Sequence, residues 1–330
     1  MSQQETLLFI NKEDVFKLGD LKRTMAKVKE AMLVLESGEY LMPERLSATY
    51  KERTVLSMPA LTNTASGTKL LTVTPSNIKL GLPSIFGLMT VNDFTTGKPL
   101  AIIDGSALTS LRTGAVGGLA VDYLAPKNAK SVGIAGCGAQ GFYQLIYTCC
   151  VRPIERVYLY DAYAKDLTNF IERVKKALCE YKIEEKITFV VCKDTKELIS
   201  QSEIVITATT SNTPIFDNDK TLFHGKTIIG VGSYQPTCRE FPDAIFGEDT
   251  AVFIELPFAK EETGDLAIPI ENGLIKTEDI HLLVELDKKP ELMKKTNFFK
   301  TVGMALYDIV VANDLYIVAK EKNAGQVVKL

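Results

Sequence analysis

The apolar positions of this chain change period several times along its length, and the changes divide it. Between Asp14 and Glu36 the residues Val15, Leu18, Leu21, Met25, Val28, Met32 and Leu35 recur at helical intervals, with Gly38 as a stop. That spacing predicts one helix with a single buried face. From Pro43 the period shortens to two, so 46–50, 54–58, 68–74, 85–91 and 100–104 read as strands. Turn signals stand at Gly67, at Gly81 to Pro83 and at Thr95 to Gly97. Strands that follow one another without helices predict an antiparallel or mixed sheet. A helix over 106–124, almost free of charge, closes this part.

Beyond it strands and helices alternate. Strands are expected at 131–135, 157–160, 187–192, 204–208 and 227–231, with a charged amphipathic helix over 165–181 and a short one over 195–201. This is the pattern of a doubly wound parallel sheet. Residues 298–330 return to helix. The apolar stretch Val302 to Ala319 is interrupted by Asp308, Asn313 and Asp314, which makes it a buried helix and not a membrane span.

The segment from Lys130 to Asp161 carries the most specific chemistry. A short apolar run meets Gly136, Gly138 and Gly141 in the spacing G-x-G-x-x-G, and a second apolar run ends in Asp161. The first glycine permits a tight turn, the second lets a pyrophosphate approach the backbone, and the third lets the following helix lie close on the sheet. The helix N-terminus would hold the pyrophosphate. Asp161 stands where an acid can accept hydrogen bonds from the adenosine ribose. Its charge repels a 2′-phosphate, and Ala162, Tyr163 and Ala164 offer no arginine to bind one. NAD(H) is therefore favoured, while Lys165 keeps NADP(H) possible. Two hydroxyl-rich strand ends, Thr207 to Ser211 and Val231 to Pro236, share the edge of the sheet where such folds bind ligands.

Composition narrows the classes. A chain of 330 residues with 46% hydrophobic content can fill two cores. A net charge of −3 and a pI near 5.7 leave no basic footprint for nucleic acid or an anionic membrane. The first residues show no cationic start or export segment, so a cytoplasmic location is expected. Six cysteines without a C-x-x-C pair, and two histidines outside any motif, argue against a metal site and a histidine mechanism. Three cations draw attention instead: Arg45 opens a strand, Lys69 lies within TKLLTV, and Arg112 lies within LTSLRTGAVGGLAV. A cation in such company is either solvated at the end of an element or paired with an anion in a cleft.

The pieces MPALT (58–62), GTKLLTVTPSN (67–77), SALTSLRTGAVGGLA (106–120), GCGAQG (136–141), VGSYQP (231–236) and FFKTVGMALYD (298–308) together resemble the ornithine cyclodeaminase/mu-crystallin family over nearly the whole chain. The resemblance implies an α/β architecture. A Rossmann-type NAD-binding domain would cover 121–303, and an α+β substrate-binding and dimerisation domain would join 1–120 to 304–330. Arg45, Lys69 and Arg112 would hold the carboxylate of a small amino or imino acid, with Val302 beside it. Ser84, Arg112, Ala139, Gln140, Thr209, Val231, Gly232, Ser233 and Thr301 would join Gly136, Gly138, Gly141 and Asp161 at the cofactor. Lys69 and Tyr234 are the catalytic candidates.

Two positions depart from the cyclodeaminases. Tyr234 stands where they carry an aspartate, and Leu56 where they carry a glutamate for the distal amine of ornithine. A leucine cannot hold an ammonium, and a neutral phenol is a poor base near neutral pH. The expected activity is reduction of a cyclic imino acid of the Δ1-pyrroline-2-carboxylate type to an L-amino acid such as proline, by a homodimer. Ornithine cyclodeamination, alanine dehydrogenation and a non-catalytic, crystallin-like nucleotide-binding role are the alternatives.

Overall fold

The computed structural model describes residues 5–183 and 186–329. Strand β1 (Thr6–Ile10) leads into helices α1 (Lys12–Leu18) and α2 (Leu21–Ser37). The single helix expected over 14–36 is therefore two. Gly19 ends the first, and the Asp20 carboxylate starts the second by accepting from the Arg23 amide at 2.8 Å. A Cβ at Gly19 would lie 2.6 Å from a Leu111 methyl, so the break also lets the backbone come close. Strands β2 (Tyr40–Leu41), β3 (Leu46–Tyr50), β4 (Arg53–Thr62), β5 (Ala65–Val73), β6 (Ile85–Asp93) and β7 (Pro99–Asp104) follow, then helix α3 (Gly105–Leu124).

The second part holds β8 (Ser131–Ala135), α4 (Ala139–Val151), β9 (Arg156–Tyr160), α5 (Thr168–Glu180), β10 (Thr188–Val191), α6 (Thr195–Gln201), β11 (Ile204–Thr207) and β12 (Thr227–Gly230). It continues through β13 (Thr250–Ile254), α7 (Ala259–Glu262), α8 (Gly264–Glu271), β14 (Ile280–Leu282) and β15 (Thr296–Lys300). Helix α9 (Ala305–Lys322) and β16 (Gln326–Lys329) end the chain. Residues 298–300, expected to begin a helix, instead finish β15, and residues 326–329, expected to continue it, form β16, because Asn323 caps α9 and the chain then pairs with β1. Strand β15 is buried throughout and lies between β12 and β13, where sheet pairing overrides the helical reading of its apolar run.

Two units result. One joins the residues up to Arg112 to those from Met304, and the other runs from Thr113 to Gly303. The first boundary falls inside α3, whereas the sequence reading placed it after residue 120. The helix runs through it unbroken.

The first unit is a mixed sheet in the order β16-β1-β7-β6-β5-β4-β2, with β3 also on β4. Only β1 and β7 pair in parallel. Helix α9 packs on β4, β5 and β6 and against α2. Alternation along β5 turns Gly67, Lys69 and Leu71 inward and Leu70 outward. A Cβ on Gly67 would meet the Thr90 carbonyl oxygen at 2.0 Å and Ile309 of α9 at 3.0 Å, so glycine is what fits there. The outward face is apolar and open: Val55, Leu70, Phe86 and Leu88 are 42–48% exposed.

The second unit is a parallel sheet in the order β10-β9-β8-β11-β12-β15-β13-β14. Its first five strands have the 3-2-1-4-5 arrangement of dinucleotide-binding folds, with the switch point between β8 and β11, and β15 rather than β13 takes the sixth place. Arg152 locks α3 to α4 here: its buried guanidinium donates to the carbonyls of Val121, Asp122 and Ala125 and to the Asp122 carboxylate. Among the described residues, no helix is long and apolar enough to cross a membrane.

Candidate active site

In the first unit, Lys69 projects from the inward face of β5 and Arg112 from α3. Both are buried, at 1% and 5% exposure. Such burial is costly unless a counter-charge is present. Asp308, on the first turn of α9 and fully buried, supplies it. One carboxylate oxygen lies 2.7 Å from Lys69 Nζ, and the other accepts from Arg112 Nε at 2.9 Å. Two cations thus share one anion. Among the described residues, the contact of Arg112 with Asp308 is made through Nε.

Burial pulls the Lys69 ammonium down to about 8. Asp308 opposes the fall, and Arg112 and then Arg45 add to it. Arg45 is close enough to be felt electrically, so the three cations noted in the sequence belong to one electrostatic cluster. Asp308 had no assigned role, although it ends the motif FFKTVGMALYD and is one of the polar residues breaking the apolar stretch. An acid in the apolar first turns of a helix was the available signal. Asp314, one of the other interruptions, accepts a forked contact from Arg23 at 2.7 and 2.8 Å. Leu56 shares the inward face of β4 with Met58, the register partner of Lys69. Ser84 lies at the start of β6, its carbonyl accepting from the Thr74 amide at 2.8 Å.

In the second unit the fingerprint turns as its spacing requires. Gly136 has φ +93° at the end of β8, and a Cβ on Gly141 would stand 2.0 Å from the Gly136 carbonyl oxygen. Gly138 faces open space, and no side chain caps the helix that it starts. The first amides of α4, including those of Ala139 and Gln140, are thus left for an anion. The buried Oε1 of Gln140 has no partner among the described residues. Asp161, at the end of β9, is already oriented. It accepts from the amide of Cys137 at 2.9 Å and from those of Tyr163 and Ala164. This open cradle with a poised acid fits a dinucleotide. Burial and the neighbouring Asp161 push the Cys137 thiol up to about 12, which leaves it inert.

The other expected residues of this unit lie at the ends of β11, β12 and β15. Two buried glutamates absent from the sequence reading hold them. Glu240 accepts from Thr207, Thr209, Gly232 and Ser233. One oxygen of Glu255 accepts from the Thr301 hydroxyl at 2.8 Å and from the amides of Val302 and Gly303 at 2.7 Å. Burial raises the Glu255 carboxyl above its usual range. Tyr234 is 38% exposed.

Comparison with known proteins gives the family and the fold. The model of the ornithine cyclodeaminase/mu-crystallin family matches residues 6–323. The chain belongs to that family. A family member from Bacillus cereus (strain ZK / E33L), a Δ1-pyrroline-2-carboxylate reductase, is 34% identical over 97% of this chain and 99% of its own. The structure of Thermococcus litoralis Δ1-pyrroline-2-carboxylate reductase in complex with NADH and L-proline matches with a TM-score of 0.88. It is 30% identical and covers 97% of this chain and 99% of the other. An archaeal alanine dehydrogenase dimer with bound NAD matches at 0.86, is 28% identical, and covers 98% and 99%.

Two outcomes follow for the cation cluster. If Lys69 acts charged, kcat/KM for an anionic substrate falls as pH rises through about 8. The same limb moves upward in Arg45→Gln, because a repelling charge is gone; a profile that instead rises through this range contradicts the assignment. Asp308→Asn leaves two buried cations without their anion and should cost roughly 3–5 kcal/mol of stability in urea titration.

Proposed function

We propose that this protein is an NAD(H)-dependent reductase of a small cyclic imino acid, converting Δ1-pyrroline-2-carboxylate to L-proline. The observation that carries the reading is the excess positive charge of the buried Lys69–Asp308–Arg112 cluster, reinforced by Arg45. An anion completes it. A carboxylate offers two coplanar oxygens to a guanidinium edge and a charge to the lysine, and its attachment to C2 fixes the neighbouring C=N bond in space. Bound NADH supplies the hydride that C2 accepts. Lys69 and Arg112 would hold the acid group, with the Lys69 ammonium offsetting charge as hydride adds to C2 and the imine nitrogen takes one proton from solvent to become an amine.

The similarity to Δ1-pyrroline-2-carboxylate reductases supports this substrate over the alternatives. Leu56 gives its side of β4 no charge to bind a distal ammonium, which disfavours ornithine. Tyr234 and Val302 are assigned to the substrate's surroundings. Asp161, with its carboxylate aimed at the glycine turn, favours NAD(H) over NADP(H). We also assign the protein to the cytoplasm, whose reducing conditions suit its free cysteines. A homodimer is proposed through the open apolar face of the first unit. The reading draws on the dimeric state of the alanine dehydrogenase and on the need to cover Leu70 and its register neighbour Leu88.

Purified protein should oxidise NADH with Δ1-pyrroline-2-carboxylate far faster than with pyruvate plus ammonia, and should release no ammonia from L-ornithine. Lys69→Met should lower kcat/KM by about 10²–10³ while NADH still binds. Absence of NADH oxidation by the wild-type protein across this panel removes the enzymatic reading. Leu70→Glu combined with Leu88→Glu should halve the mass seen by sedimentation; an unchanged mass places the dimer contact elsewhere.

A further inference from the structure

Beneath the ends of β11, β12 and β15 lies a charge cluster that the proposed chemistry does not use. Glu240, Asp265 and Lys300 are each fully buried. Lys300 Nζ stands 3.2 Å from Asp265 Oδ2 and 4.0 Å from Glu240 Oε2. The other oxygen of Asp265 accepts from the amides of Glu240 and Phe241 at 2.7 and 3.0 Å, which fixes the backbone that carries the glutamate. Burying three charges in an apolar sheet brings no evident gain in stability over apolar residues of similar volume. Their arrangement points to a different purpose.

Both Glu240 oxygens act as acceptors. Oε1 takes the Thr209 amide and hydroxyl, each at 2.8 Å. Oε2 takes the Thr207 hydroxyl and the Gly232 amide at 2.8 Å, and the Ser233 amide at 3.3 Å. The first oxygen thus serves the end of β11, and the second ties it to the end of β12. A Cβ on Gly232 would fall 2.1 Å from the Thr209 carbonyl oxygen, so the two loops are pressed together over the carboxylate. Lys300, on β15 directly before Thr301, faces the same group at 4.0 Å, a charge contact without a hydrogen bond. By strand order these ends belong to the half of the sheet away from Gly136–Gly141 and Asp161, across the switch point, where a dinucleotide lays its second nucleotide.

We propose that Glu240 is a positioning residue that shapes the nicotinamide half of the cofactor site, with Asp265 and Lys300 holding its carboxylate in place. The inference rests on the reading that these strand ends contact the nicotinamide nucleotide. It assigns the adenosine half to separate groups, the glycine turn and Asp161. The glutamate must present two acceptors, so an amide cannot replace it: one end of a glutamine would turn an NH2 toward N–H and O–H donors.

The test is Glu240→Gln in the full-length protein, with NADH and AMP binding both measured by fluorescence titration and competition. NADH affinity should fall at least about tenfold, while AMP affinity stays at the wild-type value. Restoration of NADH affinity by Glu240→Asp, which keeps both acceptor oxygens on a shorter arm, would add support. Equal NADH affinity in wild type and Glu240→Gln overturns the proposal, as does a parallel loss of NADH and AMP binding. Failure of the wild-type protein to bind NADH overturns the cofactor reading itself. Should the variants not fold, amide hydrogen exchange on the wild-type protein decides. The Thr209, Gly232 and Ser233 amides should be protected without cofactor, and fast exchange there overturns the assignment.

Discussion

Two buried cations share a single carboxylate in the first unit, and the arrangement around them follows from that imbalance. Lys69 and Arg112 come from a strand and a helix, and Asp308 comes from a helix that begins nearly two hundred residues after Arg112 in the chain. Desolvation makes the lysine the weakest holder of its charge, and Asp308 prevents a deeper fall. A second anion relieves the cluster. In the proposed reading, the groups that bind a carboxylate are thus already in place before the ligand arrives.

The same logic runs through the second unit with the signs exchanged. Glu240 and Glu255 are acids beneath backbone amides, and each organises strand ends whose N–H groups would otherwise have no partner. Loops that face ligands cannot be fixed by burying apolar side chains, because their outer side must stay open. A buried acceptor can fix them from below. Thr209, Gly232 and Thr301 are presented by rigid strands and held by carboxyl groups that never meet solvent.

Discontinuity of the first unit is a consequence of the same needs. Strand β16 pairs with β1, and α9 covers the sheet, so the last residues close a domain that the first residues begin. Helix α9 carries Asp308 to Lys69 of β5 and Arg112 of α3, and Asp314 to Arg23 of α2, so ion pairs fix its position alongside its apolar contacts.

Period and spacing in the sequence determined the elements with strong local signals. The strand–glycine–helix–strand unit ending at Asp161 and the charge-poor α3 stand where their patterns predict them, and so do the strands from β3 to β7, except that Gly67, read as a turn, lies within β5, where its missing side chain admits a close neighbour. These depend on neighbours within a few residues, which a sequence displays directly. Tertiary structure decided what depends on distant partners. Helix and strand could not be told apart over residues 298–300 until β12 and β13 flanked them, because a short apolar run suits either state. The ambiguity at Lys69 and Arg112, solvated or paired, was resolved only by Asp308 from the far end of the chain. Glu240 and Glu255 gave no local sign at all. An acid is marked as buried by the donors that converge on it, and folding alone gathers those donors from several strand ends.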